Sequence, residues 1–392
     1  MRIVITGADG FIGTNLLMRL TELGQVDVDC ITRATAPDAM QAALAQADFV
    51  FHLAGVNRTQ YPAEFASGNA GLTQDVCAAL AAAGRRASVV LSSSTQSATD
   101  NPYGRSKRDA EEAVRGYAAA TGAAVHVFRL PNVFGKWAQP NYNSVVATFC
   151  HNISRGLPIT INDPAAPLQL VYIDDVVDCF VQLMHDSLPH CKEERHGHPG
   201  GMDYRAALAM TEGEQSFDTV APQYTTTVGE LARQIHTFKD SRTTLMTERV
   251  GSGLVRALYA TYVSYLPVEA FCYTLTQHVD PRGVFVEVMK MPDCGQYSYF
   301  TAYPGITRGG HYHHSKTEKF LVIKGTARFK FRHMQSGQTH ELVTSGEKPE
   351  IVETVPGWTH DITNIGADEV MVMLWANEIF DRERPDTFTC AV

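Results

Sequence analysis

The sequence predicts a doubly wound α/β domain with a parallel sheet, followed by an all-β barrel. Three observations carry this. Arg2 to Leu23 reads as strand, glycine loop and helix. From Val268 the pattern turns into short runs of period two, separated by turn residues. Those runs enclose Gly305 to Gly325, a block of histidines and one glutamate between glycines.

Composition agrees with two ordinary domains. The chain has 392 residues, 44% hydrophobic and 19% charged, enough for a normal core in each half. The formal net charge is −9, and no run of Lys or Arg marks a nucleic-acid or anionic-membrane face. The eight cysteines contain no C-x-x-C pair and fit buried thiols in a reducing compartment. The opening M-R-I-V-I-T-G reads as a strand and not a signal peptide, and no apolar run approaches the ~20 residues of a membrane span. The cytoplasm is the expected location.

In the opening unit, Gly7 permits the tight turn, Gly10 lets a pyrophosphate approach the helix N-terminus, and Gly13 lets helix and strand sit close. Val26 to Thr32 is the second strand. It ends in Arg33, where an acidic residue would hold a ribose 2′-hydroxyl and an Arg suits a 2′-phosphate, so NADPH is the expected cofactor. Residues 34–47 read as an Ala-rich helix and Asp48 to Leu53 as the next strand; the strand usually placed between them is shortened or missing. Ser88 to Ser92 is a further buried strand, leading into Ser93-Ser94. Then N-P-Y-G-R-S-K enters a helix with Tyr103 and Lys107 one turn apart on a shared face. A Lys ammonium beside a phenol lowers its pKa, as a general acid needs, and a serine hydroxyl can hold the substrate oxygen.

These residues resemble the extended short-chain dehydrogenase/reductase family, whose sheet is of the Rossmann type and which acts largely on nucleotide sugars. The resemblance covers about residues 1–240. It implies a cofactor site from T-G-A-D-G-F-I-G, including Phe11 and Ile12, and from Leu53, Ala54 and Gly55 of H-L-A-G. It implies Ser94, Tyr103 and Lys107 as the catalytic set, with the last two also touching the cofactor. Asn69 matches a helix-kinking Asn, Asn132 in R-L-P-N-V-F-G matches a substrate contact, and V-Y-I-D-D-V matches a later block. The acidic residue near adenine is absent with its strand. The Arg that often grips a phosphate is replaced by Pro167-Leu168-Gln169, leaving Lys136 or Arg155 as substitutes. Residues 186–224 read as a polar loop in which His190, Cys191, His196 and His198 match no zinc spacing. Thr225 to Phe238 reads as the last helix, with the domain join near 245, giving domains 1–245 and 246–392.

In the second half, His311 and His313 leave a strand on one face, Glu318 can return beside them, and His360 is a fourth candidate. Such a set suits zinc, iron or manganese, with zinc placed first. The spacing resembles the first cupin motif at Gly305, His311, His313, Glu318 and Gly325. Pro356, Gly357, His360 and Asn364 resemble the second motif with one residue deleted. The order of reductase then cupin resembles the bifunctional capsular-polysaccharide enzymes. That resemblance implies a homodimer acting on a UDP-2-acetamido-2,6-dideoxy-4-hexulose. The cupin would epimerise C3 and the reductase would reduce C4, giving UDP-2-acetamido-2,6-dideoxy-L-talose on the way to UDP-N-acetyl-L-fucosamine. The other reading keeps the reductase and makes the cupin metal structural. The epimerisation base stays open between His314 and a metal-bound water.

Overall fold

The structure, a computed structural model, describes residues 1–24, 27–187, 217–276, 278–280, 283–285, 289, 296–378 and 383–392. The histidine-bearing loop residues 190–198 lie outside these. By packing, the chain forms two compact units: 1–133 with 169–225, and 134–168 with 226–392.

In the first unit the strands are β1 Arg2–Thr6, β2 Asp27–Ile31, β3 Phe49–His52, β4 Ser88–Ser94 and β5 Val125–Leu130. They pair in parallel in the order β2-β1-β3-β4-β5. With β2 at the edge, no strand lies beyond it among the described residues, as the shortened pattern predicts. Helices α1 Phe11–Leu23 and α2 Pro37–Leu44 follow the first two strands. Next comes a bent element: α3 Ala63–Phe65, a π-helical turn 66–71, and α4 Leu72–Ala82. α5 Pro102–Thr121 completes this half. One face of the sheet buries Val4, Val50, Val89 and Val127 with Leu80, Val114 and Tyr117 of α4 and α5. On the other, Phe51 and Phe128 stack on Phe180, with ring centroids 5.9 and 5.0 Å apart. Burying apolar residues on both faces is what holds a parallel sheet.

Strand β6 Asn132–Phe134, helix α6 Val145–Ser154, strand β7 Pro167–Tyr172 and helix α7 Ile173–Asp186 come next, then β8 Gln223–Thr227 and α8 Val228–Thr244. β6, β7 and β8 form a three-stranded sheet. Thr227 and Glu230 make a capping box that starts α8. α9 Gly253–Ser264, a helix the strand pattern did not predict, packs with α6 and α8. The expected join at 245 coincides with the left-handed C-cap of α8, Leu245. The packing nevertheless groups α6 and α8 with the residues that follow, because Ile153, Leu231, Phe238 and Tyr259 are buried within that second unit.

The barrel strands are β9 Cys272–Thr274, β10 His278–Asp280, β11 Gly283–Phe285, β12 Gln296–Ala302, β13 Thr307–Tyr312, β14 Glu318–Lys324, β15 Thr326–His333, β16 Thr339–Ser345, β17 Glu350–Glu353, β18 Trp358–Asn364, β19 Val370–Ala376 and β20 Phe388–Thr389. Two antiparallel sheets, β12-β19-β14-β17-β9 and β16-β15-β18-β13-β20, make a cupin-like domain; β10 and β11 form a separate hairpin. Its core interleaves Phe320, Phe329, Phe331, Val352, Ile362 and Val372 from both sheets. Asn364 of the second motif has a structural task. Its amide donates to Ala302 O and Asp368 O, both at 2.9 Å, and accepts from Gly366 N.

Candidate active site and metal centre

The first cluster is assembled by the start of α5. Asn101 caps the helix by accepting from Gly104 N at 2.7 Å, and Pro102 stands in its first turn. The N-P-Y-G sequence therefore fixes Tyr103 in the first turn and Lys107 one turn on. Lys107 Nζ donates to Ser92 O at 3.2 Å and lies 5.9 Å from the Tyr103 ring centre. The Tyr103 hydroxyl donates to Asn57 Oδ1 at 3.1 Å. Ser94 ends β4, and its hydroxyl oxygen accepts from Gln96 N at 3.2 Å. The expectation that Lys107 lowers the Tyr103 pKa needs correction. Burial pushes the phenol up, and the counteracting effect is a hydrogen bond with Ser94. Lys107 is itself buried, which lowers it to about 8, with Glu111 opposing. It stays a cation at neutral pH, but its ammonium is turned to a backbone carbonyl.

The glycine loop behaves as its spacing predicts. A Cβ at Gly13 would lie 2.1 Å from Gly7 O, so only glycine lets α1 sit this close to the turn. Gly10 is the N-cap of α1, with no side chain over the helix end. Phe11 and Ile12 open the helix. Arg33, Ala54 and Gly55 line one cavity of about 330 Å³ with Gly68, Leu72 and Asp75. Leu53 N donates to Thr6 O at 3.2 Å, so Leu53 extends the β1–β3 ladder beside this cavity.

Behind the cavity runs a hydrogen-bond chain that spacing did not reveal. Ala54 N donates to Thr6 Oγ1. His52 bridges Thr6 Oγ1 at 2.7 Å and Thr73 Oγ1 at 2.8 Å, and Thr73 donates to Asn69 O at 2.7 Å. Because Thr73 spends its proton on a carbonyl, His52 Nε2 must donate and Nδ1 must accept, which is the neutral tautomer. Burial, then Lys107, lowers His52 to about 3. Asn69 sits in the π-helical turn. Its amide donates to Val56 O and Ser106 Oγ and accepts from Val56 N, tying the cofactor loop to α5. Glu111, four residues after Lys107, is buried and takes a two-point contact from Arg129 at 3.0 and 2.7 Å. Asn132 is exposed and donates to Gln169 O at 3.1 Å. Of the two substitute phosphate grips, Arg155 gives its guanidinium to Tyr265 O at 2.7 Å and His151 O. Lys136 is buried over the Trp137 ring.

The second cluster is the metal candidate. One ligand atom each from His311, His313, Glu318 and His360 lies within 4.8 Å of the others. Three strands build it. A bulge in β13 shifts the register between Gly309 and His311 and sets His311 opposite His360. Gly309 has φ 97°, and a Cβ there would be 3.0 Å from His360 O, so the bulge requires glycine. Glu318, the first residue of β14, comes from the facing sheet. His313 Nδ1 donates to Asp386 O, leaving Nε2 as the bare nitrogen, 3.2 Å from Glu318 Oε2. His360 Nε2 lies 3.7 Å from the same oxygen. Both ring nitrogens of His360 are buried without a hydrogen-bond partner. Buried ring nitrogens and a carboxylate converging on one point fit a cation between them.

The electrostatics point the same way. Burial, then His313, lowers His311 to about 4, and the same two causes put His360 well below its usual value. Both are neutral ligands at pH 7. Burial alone would raise the Glu318 carboxyl, but His313 and Lys316 hold it well below the usual carboxylate range. Burial would lower His313, and Glu318 outweighs it.

Comparison with known proteins decides the family. The NAD dependent epimerase/dehydratase family matches residues 3–190, and the polysaccharide biosynthesis C-terminal domain matches residues 278–388. A Pseudomonas aeruginosa protein, UDP-2-acetamido-2,6-beta-L-arabino-hexul-4-ose reductase, is 53% identical over 392 residues, covering 100% of this chain and 99% of that one. The crystal structure of the capsular polysaccharide assembling protein CapF from Staphylococcus aureus is 39% identical, covers 100% of both chains and superposes with a TM-score of 0.65. The chain belongs to the CapF-like capsular-polysaccharide enzymes. Its first half is an oxidoreductase fold for a nicotinamide cofactor and its second a cupin-like β domain. No helix among the described residues is long and apolar enough to cross a membrane.

Proposed function

We propose that the chain is a two-step sugar-nucleotide enzyme. Its cupin half, 246–392, epimerises C3 of a UDP-2-acetamido-2,6-dideoxy-4-hexulose. Its reductase half, 1–245, then reduces C4 with NADPH to UDP-2-acetamido-2,6-dideoxy-L-talose, toward UDP-N-acetyl-L-fucosamine. The enzyme works as a homodimer. One observation carries the reading: a Ser94–Tyr103–Lys107 set and a four-ligand cluster occur in one chain.

The residues divide the work as follows. Tyr103 gives a proton to the C4 oxygen, Ser94 holds that oxygen, and Lys107 carries positive charge beneath them. Gly10 and Gly13 admit the cofactor's pyrophosphate, and Asn132 holds the sugar nucleotide. His311, His313, Glu318 and His360 hold a divalent cation, zinc first among the candidates. A cation held there would supply positive charge to polarise the C4 carbonyl and so make the C3 proton removable. The rival reading has a purely structural metal, and one observation favours it: four protein ligands are enough to close a zinc site.

The test is incubation of the enzyme with NADPH and a small panel of UDP-4-keto sugars, with products identified by NMR. The reading requires a C3-inverted, C4-reduced product. Reduction without inversion supports the structural cupin. For the cofactor, Arg33→Ala should raise the KM for NADPH roughly ten- to hundredfold, since a charge-assisted phosphate contact contributes about 1.5–3 kcal/mol. The KM for NADH should hardly move. Equal effects on both would show that Arg33 does not read the 2′-phosphate.

A further inference from the structure

We infer that the C-terminal strap, through Asp386, is a working part of the metal centre: it holds the His313–Lys316 turn in ligand geometry and sets the His313 tautomer. Asp386 is a positioning residue, 26 residues beyond the last ligand in sequence, and it belongs to neither cupin motif. The inference rests on the metal reading of the cluster.

Strand β20 lies against β13, with Thr389 opposite His311 and Phe388 opposite Tyr312. Cys390 N donates to Gly310 O at 2.8 Å, and Arg332 Nη2 donates to Ala391 O at 2.6 Å. The tail is thereby laid along the ligand strand. Within it, the Asp386 carboxylate accepts from His314 N at 2.9 Å through Oδ1. Through Oδ2 it accepts from Ser315 N at 2.7 Å, Lys316 N at 2.6 Å and Ser315 Oγ at 3.1 Å. Three successive backbone N–H groups thus converge on one carboxylate. They belong to the turn between His313 and Glu318, and this turn sets the distance between those two ligands. The same residue's carbonyl accepts from His313 Nδ1. A carbonyl can only accept, so Nδ1 keeps its proton and Nε2 is the nitrogen left for the metal.

An amide cannot replace this carboxylate. Asparagine offers one acceptor oxygen and one NH2 group. Whichever way it is turned, the NH2 faces at least one of the backbone N–H groups that the carboxylate holds, donor against donor. The turn must open, and the tail carbonyl leaves His313.

The experiment measures zinc affinity of the full chain by competition with a chelator, well below the melting temperature and without substrate. Asp386→Asn should bind zinc 10- to 100-fold more weakly than wild type, with an unchanged far-ultraviolet circular dichroism spectrum. NADPH binding, which belongs to the other unit, should be intact. Wild-type zinc affinity in the folded variant overturns the inference. If the variant does not fold, the wild-type protein decides: histidine-labelled, zinc-loaded enzyme should show His313 protonated at Nδ1 by nitrogen-15 NMR, and zinc at Nδ1 overturns it. Neither readout uses C3 chemistry. A non-catalytic metal would therefore sink the epimerase reading while leaving this inference in place.

Discussion

Tyr103→Phe should abolish NADPH oxidation with the 4-keto substrate while fold and cofactor binding persist. The hydroxyl is the only atom removed. It stands beside Asn57 and Ser94 at the start of α5, and its loss leaves Asn101, Pro102 and Gly104, which start the helix, untouched. Burial already favours the protonated phenol, so in the resting enzyme it is a donor. Losing a positioned acid costs about 10²–10⁴-fold in rate. The decisive measurement is kcat together with cofactor affinity, so that chemistry and binding are separated. A variant retaining more than about a third of the activity removes Tyr103 from this role.

The His311→Ala, His360→Ala double variant should lose its metal and with it exchange at C3. The two residues face each other across the β13–β18 pair, with ring centres 4.7 Å apart, and removing both leaves only His313 and Glu318. Two ligands do not hold a divalent ion against water. Assayed in deuterated water with the 4-keto substrate, the variant should incorporate no deuterium at C3. It should still pass hydride to a ketone already in the right configuration, because Ser94, Tyr103 and Lys107 belong to the other unit. Metal content gives a readout independent of turnover. Normal deuterium incorporation in metal-free protein sinks the catalytic reading of the cupin and leaves the structural one standing.

Much of both sites was legible because local rules write it. The Tyr103–Lys107 pair needs only helical periodicity and the cap at Asn101. His311 and His313 need only strand alternation, and Glu318 and His360 follow from the spacing of the two motifs. Where local rules stopped, so did the reading. Asn57 and Glu111 carry no motif of their own, and His52 opens H-L-A-G without its role being readable there. Of these, Glu111 had a signal, its place one turn beyond Lys107 on the same helix face. The phenol's pKa direction was misread because proximity in sequence says that Lys107 is near, whereas only the fold shows its ammonium turned to Ser92 O.

By itself the sequence determined the two fold classes, the glycine loop and the four residues that cluster as candidate ligands. Each of these is encoded in the spacing of neighbouring residues along one element or one turn. Tertiary structure alone decided what holds those residues in place. The His52 chain joins Thr6 to Asn69, Arg129 of β5 reaches Glu111 of α5, and Asp386 reaches back to the turn after His313. It also decided that residues 134–168 pack with the C-terminal unit. The physical reason is common to all of these. A buried polar group must find a partner, and which partner it finds depends on the segments the fold brings alongside, not on distance along the chain.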